Sequence, residues 1–227
     1  MANKRISQLQ NITTSGVTPY DLLAIVNYDV YSGTTKNIRV TDLKSYINSG
    51  ITNYTYEIGE YVSSEGGIIF HKYIDNGTQN YLVVDTTDLS TSSDWSNIDN
   101  VIIGPTAQST WDGSSNSNAI VGQLGFITGA TKLCLDSTNN SKSDWYLPAI
   151  DELSLIWQNR FNVNKTLSGN SNFGPILGAV QIGYDYYWSS TEYGSLNAWG
   201  LSFYDGIAGV NLKNTTYYVR AVRKFSI

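Results

Sequence analysis

Few side chains in this sequence are of types that do chemistry. Glu152, Glu192 and Arg220 are the kinds of residue that serve as acid, acid and anion holder in general acid–base catalysis. A buried structural ion pair joining a helix to the last strand is the stronger reading, because an arginine in mid-strand needs an acidic partner. Cys134 lies in an apolar stretch without a basic neighbour to lower its pKa, which suits a core thiol better than a nucleophile. His71 follows a strand-like run and has no sequence neighbour that suggests a triad, so a structural or surface role is expected. One Cys and one His make neither an intrachain disulfide nor a His/Cys zinc site. Asp112 with Asn116, or Asp85 with Asp88, offers oxygen ligands to a hard cation. Their spacing matches no calcium loop, and such clusters are more often turns. No catalytic set, metal or cofactor is therefore expected, and the chain is read as a non-enzyme.

The elements that would position these residues lie beyond residue 57. Gly66-Gly67-Ile68-Ile69-Phe70 reads as a turn feeding an apolar strand, with Tyr81-Leu82-Val83-Val84 as its partner across an Asp75-Asn76-Gly77 turn. Helical patches are expected over 117–124 and 130–135. The best-defined helix covers 150–159, with Pro148 just ahead of it and Asp151 and Glu152 in its first turn, where the helix dipole favours negative charge. Leu153, Ile156 and Trp157 form its apolar stripe. After Gly178 the pattern becomes strand-like at 186–190, 198–203 and 217–223, separated by Gly, Asn and Ser. No fixed-period repeat is evident.

Composition excludes several classes. The 227 residues suggest one full domain plus an appendage. Six Trp, 17 Tyr and six Phe offer ample apolar surface against chain entropy, so disorder is not expected. The excess lies in Tyr, whose flat body and polar tip make a soluble but adhesive surface. A net charge of -5 with no basic run argues against a nucleic-acid partner. No apolar stretch is long enough to cross a bilayer, and the N-terminus lacks the apolar core of a signal peptide, so use without secretion is expected.

Charge divides the chain near Asn48-Ser49-Gly50. Residues 1–50 are net basic and contain Tyr but no Trp or Phe, whereas the remainder is strongly acidic. Strands are expected at 22–26 and 36–40 and a short helix at 41–47, a unit too small to be stable alone. Arg5-Ile6-Ser7-Gln8-Leu9, Asp21-Leu22-Leu23-Ala24-Ile25-Val26 and Lys36-Asn37-Ile38-Arg39-Val40-Thr41-Asp42-Leu43 follow in order. Together they resemble the N-terminal attachment segment of bacteriophage fibre and head-fibre proteins. The resemblance implies anchoring to a virion through Arg5, Ile6, Leu9, Leu22, Leu23, Ile25, Ile38, Val40 and Leu43. It also implies a homo-oligomer, with a trimer favoured.

From residue 57 onward the order is Gly66-Gly67-Ile68-Ile69-Phe70, Ser117-Asn118-Ala119-Ile120-Val121 and Asp144-Trp145-Tyr146-Leu147-Pro148. Tyr187-Trp188-Ser189-Ser190-Thr191-Glu192, Ala198-Trp199 and Tyr217-Tyr218-Val219-Arg220-Ala221-Val222-Arg223 follow. This series resembles a bacterial and phage domain of C-type-lectin-like architecture, shared broadly by the formylglycine-generating-enzyme group and phage receptor-binding tips. It implies an α+β fold with two or three short helices and twisted antiparallel strands over 57–227, a linker at 51–56 and the attachment segment at 1–50. Trp145, Trp188 and Trp199 then belong to scaffold motifs, so core packing outweighs ligand stacking. The cysteine pair of the oxidising enzymes is not matched, and neither calcium motif of the sugar-binding animal lectins is present.

In such a fold the late loops lie on one exposed face. Here they hold Glu192, Tyr193, Ser195, Asn197, Tyr204, Asp205, Asn211 and Asn214, a mixture that suits a paratope and equally an ordinary polar loop surface. The expectation is a virion structural protein, made in the host cytoplasm. It would be a head or tail fibre subunit that contacts other virion proteins through 1–50 and displays a lectin-like domain to a host surface glycan or protein. A purely structural capsid or tail decoration is the alternative, and an enzyme acting on surface polysaccharide is the third.

Overall fold

The computed structural model describes residues 22–25, 36–39 and 55–227. The chain divides into two compact units, Met1–Thr55 and Tyr56–Ile227. In the first, β1 (Leu22–Ile25) and β2 (Lys36–Arg39) pair antiparallel with Leu22 opposite Arg39, as the two apolar runs predict. The helix expected at 41–47 lies outside the described residues, as do Arg5, Ile6, Leu9, Val40 and Leu43.

The second unit is an α+β fold with two curled sheets. In one, β3 (Tyr61–Val62), β4 (Gly67–Asp75), β5 (Thr78–Asp85) and β11 (Val222–Ser226) take the order β11-β5-β4-β3, all antiparallel. The β4–β5 turn places Asn76 at φ 48° and Gly77 at φ 79°, the left-handed pair that a two-residue hairpin loop requires. In the other, β6 (Ser90–Ser93), β7 (Tyr186–Glu192), β8 (Asn197–Ser202), β9 (Ala208–Leu212) and β10 (Tyr217–Val219) take the order β6-β10-β7-β8-β9. The β10–β7 pair is parallel, a departure from the expected antiparallel set.

Four α-helices are present among the described residues: α1 (Gly113–Val121), α2 (Ala130–Leu135), α3 (Ile150–Gln158) and α4 (Arg160–Leu167). α1 starts earlier than the expected 117, because the Asp112 side chain accepts from the Ser115 N–H at 2.9 Å and caps it. α3 begins as expected: the Glu152 carboxylate reaches back to the Ala149 N–H at 2.8 Å.

Alternation along β4 and β5 divides the core. Ile69, Tyr81 and Val83 join Trp95, Trp145 and Trp188 in one cluster, while Ile68, Phe70, Leu82 and Val84 join Leu153, Ile156, Tyr187 and Leu201 in another. Both faces of the hairpin are thus covered, which is why its sequence is continuously apolar. Trp145 and Trp188 are core residues whose indole N–H groups donate to the Asn139 and Ser93 carbonyls at 3.1 and 2.8 Å. Trp199 is only half-buried and packs against the second cluster from its edge. The third fully buried indole is Trp95, which donates to the Ser189 carbonyl at 2.7 Å.

The run expected as one strand over 217–223 is broken at Arg220-Ala221, where the chain passes from one sheet to the other. The cause is the Arg220 side chain. Its guanidinium turns inward to Asp88 Oδ1 at 2.7 Å, the Asp85 carbonyl at 3.2 Å and the Val180 carbonyl at 2.9 Å. Its acidic partner is therefore Asp88, not the helix residue Glu152 and not Glu192. Glu192 instead meets Lys213 Nζ at 2.7 Å with both side chains fully buried. The same ammonium donates to the Val101 carbonyl at 3.1 Å and lies 4.8 Å from the centroid of the Trp95 ring. Removing one partner of such a pair leaves an unpaired buried charge. Lys213→Met is expected to lower unfolding stability by about 3–5 kcal/mol. Lys213→Met combined with Glu192→Gln, which removes both charges and keeps an acceptor for the Ile103 and Gly104 N–H groups, should recover at least half of the loss in urea titrations, and a single variant that melts like the wild type would contradict this role.

Candidate functional site

The late-loop residues do not form one patch. Tyr193, Ser195 and Asn197 lie at the β7–β8 turn and Asn214 at the β9–β10 turn, and these turns adjoin through the Lys213 N–H donating to the Leu196 carbonyl at 2.9 Å. Tyr204 and Asp205 lie in the β8–β9 turn, at the other end of the same strands. The two ends are roughly 20 Å apart, given about 3.3 Å of rise per strand residue. Tyr193 and Tyr204 are 58% and 77% exposed, but each already contacts a ring: Tyr193 meets Trp199 at 5.7 Å and Tyr204 meets Tyr184 at 6.4 Å. The Asn211 amide accepts from the Tyr217 hydroxyl at 2.9 Å and donates to the Gly209 carbonyl at 3.0 Å. Glu192 is not a loop-surface residue. Its carboxylate accepts from Lys213 and from the Ile103 and Gly104 N–H groups at 3.0 and 2.8 Å, which points it into the protein.

The oxygen-rich clusters are engaged elsewhere. Asp112 caps α1, Asn116 is buried and exchanges hydrogen bonds with the Ser109 backbone at 3.1 and 2.7 Å, Asp85 accepts from Asn139 at 2.6 Å, and Asp88 holds Arg220. Among the described residues no three His, Cys, Asp or Glu side chains are grouped as a metal site. Cys134 is fully buried, and burial pushes its thiol pKa well up, as a core thiol requires.

A cleft lined by none of these turn residues is not marked in the sequence. It is open to solvent, has a volume of about 650 Å3, and runs between the end of β4 (His71, Tyr73, Asp75) and the start of α1 (Trp111, Asp112, Ser114). Asp151, Glu152 and Leu155 of α3 line it together with Leu82, Asp144, Tyr146 and Lys224. His71 stacks on Tyr73 with centroids 5.7 Å apart, and burial lowers its pKa. Asp144 is held below the usual carboxylate range by bidentate hydrogen bonds from Arg223 at 2.7 and 2.8 Å.

Glu152 sits at the floor. Burial raises its carboxyl pKa from 4.5 to about 7, opposed by hydrogen bonds from the Ala149 N–H, the Tyr146 hydroxyl and the Gly113 N–H. The Tyr146 hydroxyl donates to Oε1 at 2.9 Å and the Ala149 N–H to Oε2 at 2.8 Å, so both oxygens already have partners. The close fit also fixes Gly113. A Cβ there would lie 2.5 Å from Glu152 Oε2 and 2.6 Å from the Leu147 carbonyl oxygen. The carboxyl ties the starts of α1 and α3 to Tyr146 and shapes the cleft without being presented as a free proton donor.

The described residues form an α+β domain of curled, mainly antiparallel sheets with an open cleft of aromatic and acidic lining. Residues 85–223 match the family described as the Lcl C-terminal domain; the match spans more than half of the chain, and the protein belongs to that family. No curated protein matches the chain.

Glu152 gives the domain a pH dependence of stated sign. Below about pH 4.5 the carboxyl is protonated in the folded and unfolded chain alike. As pH rises from there to about 7 the unfolded chain releases this proton while the folded chain retains it, so stability falls, by up to about 3 kcal/mol, and then levels off. Glu152→Gln should flatten the fall in Tm between pH 5 and 8. An unchanged slope would show that the dependence arises elsewhere.

Proposed function

We propose that the protein is a bacteriophage head or tail fibre subunit whose C-terminal unit adsorbs the particle to the host surface. The observation that carries the binding role is the open cleft. It is a concavity of about 650 Å3 in a unit whose buried Arg220, Arg223 and Glu192 are engaged in holding the fold together. Glu152, whose carboxyl pKa burial raises to about 7, has both oxygens occupied by donors, which favours binding over catalysis. Membership of the Lcl C-terminal domain family supports a fibre-type or adhesin-like domain. The α+β architecture with curled antiparallel sheets suits a C-type-lectin-like fold. In this reading residues 1–50 anchor the chain to other virion proteins, the chains form a trimer, and the protein resides in the virion.

Antibodies raised against the full chain should decorate intact particles in electron micrographs, and added full chain should compete with adsorption of phage to its host. Unlabelled particles would contradict the virion assignment. Labelled particles whose adsorption is indifferent to excess chain would make the protein a structural decoration instead.

A further inference from the structure

Trp111 is out of place for its residue type. Trp95, Trp145 and Trp188 are fully buried, whereas Trp111 is 72% exposed at the rim of the cleft, immediately before the residue that caps α1. A large apolar ring left in water forgoes the free energy of burial, and it gives the rim a flat π-face that attracts sugar C–H groups and cations. The charges around it are unbalanced. Asp144 is neutralised by Arg223, but Asp75 and Asp151 are exposed and take part in no ion pair among the described residues. The cation within the lining is Lys224, whose Nζ lies 5.2 Å from the centroid of the Tyr73 ring.

From this placement we propose that the cleft binds an amino-bearing saccharide. Trp111 is the stacking platform, and Asp75 and Asp151 accept from its ammonium and hydroxyl groups. The inference rests on the adsorption reading and names the ligand class of that site. Three features select this class. The excess of carboxylates repels sulfated or phosphorylated ligands and attracts ammonium. The acceptors come from the end of β4 and the start of α3 and do not gather as a metal site would, so they suit several donors spread around a sugar ring better than a single point cation. The volume of about 650 Å3 is within the range of small-ligand sites.

The test is calorimetric titration of the full chain at low salt near neutral pH with a β-1,4-linked glucosamine trimer and with its fully N-acetylated counterpart, which has the same skeleton without the charge. The expected result is binding of the glucosamine trimer at least tenfold tighter than its counterpart, weakened by added salt and reduced at least tenfold in Trp111→Ala. That residue is exposed, so the variant should melt as the wild type does. Asp151→Asn should weaken binding several-fold. Equal binding of both trimers, binding indifferent to Trp111→Ala, or equally tight binding of an oligolysine peptide would overturn the proposal. Chain that adsorbs to host cells but ignores the glucosamine trimer would overturn this inference and leave adsorption standing. Chain that binds the trimer but no host cell would do the reverse.

Discussion

Three cations between Lys213 and Arg223 are buried, and each must find anions or carbonyls where water cannot reach it. Lys213 meets Glu192 beneath the Trp95 ring, Arg220 meets Asp88 and two carbonyls, and Arg223 meets Asp144 and Glu65. These partners come from distant parts of the chain, so this one late segment ties both sheets to the loops around them. Any register that misplaces it leaves a charge stranded in the core, a larger penalty than the loss of an exposed ion pair. The same pairing determines what remains for function: Glu65, Asp88, Asp144 and Glu192 are engaged, whereas Asp75 and Asp151, which line the cleft with Trp111, enter no ion pair among the described residues.

What the sequence reveals here follows the range of the interaction. The β4–β5 hairpin is legible because its apolar run and its Asn76-Gly77 turn are local, and α3 is legible because Asp151, Glu152 and the Leu153/Ile156 stripe lie within it. α4 is not, since Arg160-Phe161-Asn162-Val163-Asn164-Lys165 exposes Phe161 and lacks an apolar stripe of matching strength. The start of α1 is hidden by Gly113, Ser114 and Ser115, residues that resemble a turn until Asp112 caps them. The need of Arg220 for an acid is legible, but the choice of Asp88 over Glu152 is not, because it depends on how two sheets meet.

The site shows the same limit. The turns around Tyr193 and Tyr204 can be read as turns, but which end of the sheet each occupies depends on strand pairing, and the structure sends them to opposite ends. The cleft is assembled from β4, the α1 cap, α3 and β11, and a tryptophan is not marked in sequence as buried or exposed. Its signal is Trp111 next to a capping aspartate, and it becomes informative only when the other indoles are seen to be enclosed.

Whether the cleft or the late turns form the adhesive surface decides the proposed function. Hydrogen exchange of the full chain with and without purified host surface polysaccharide tests it directly. Adsorption through the cleft requires slowed exchange at residues 71–75, 110–114 and 151–155 with the turns at 193–197 and 213–216 unaffected; protection confined to those turns would overturn it.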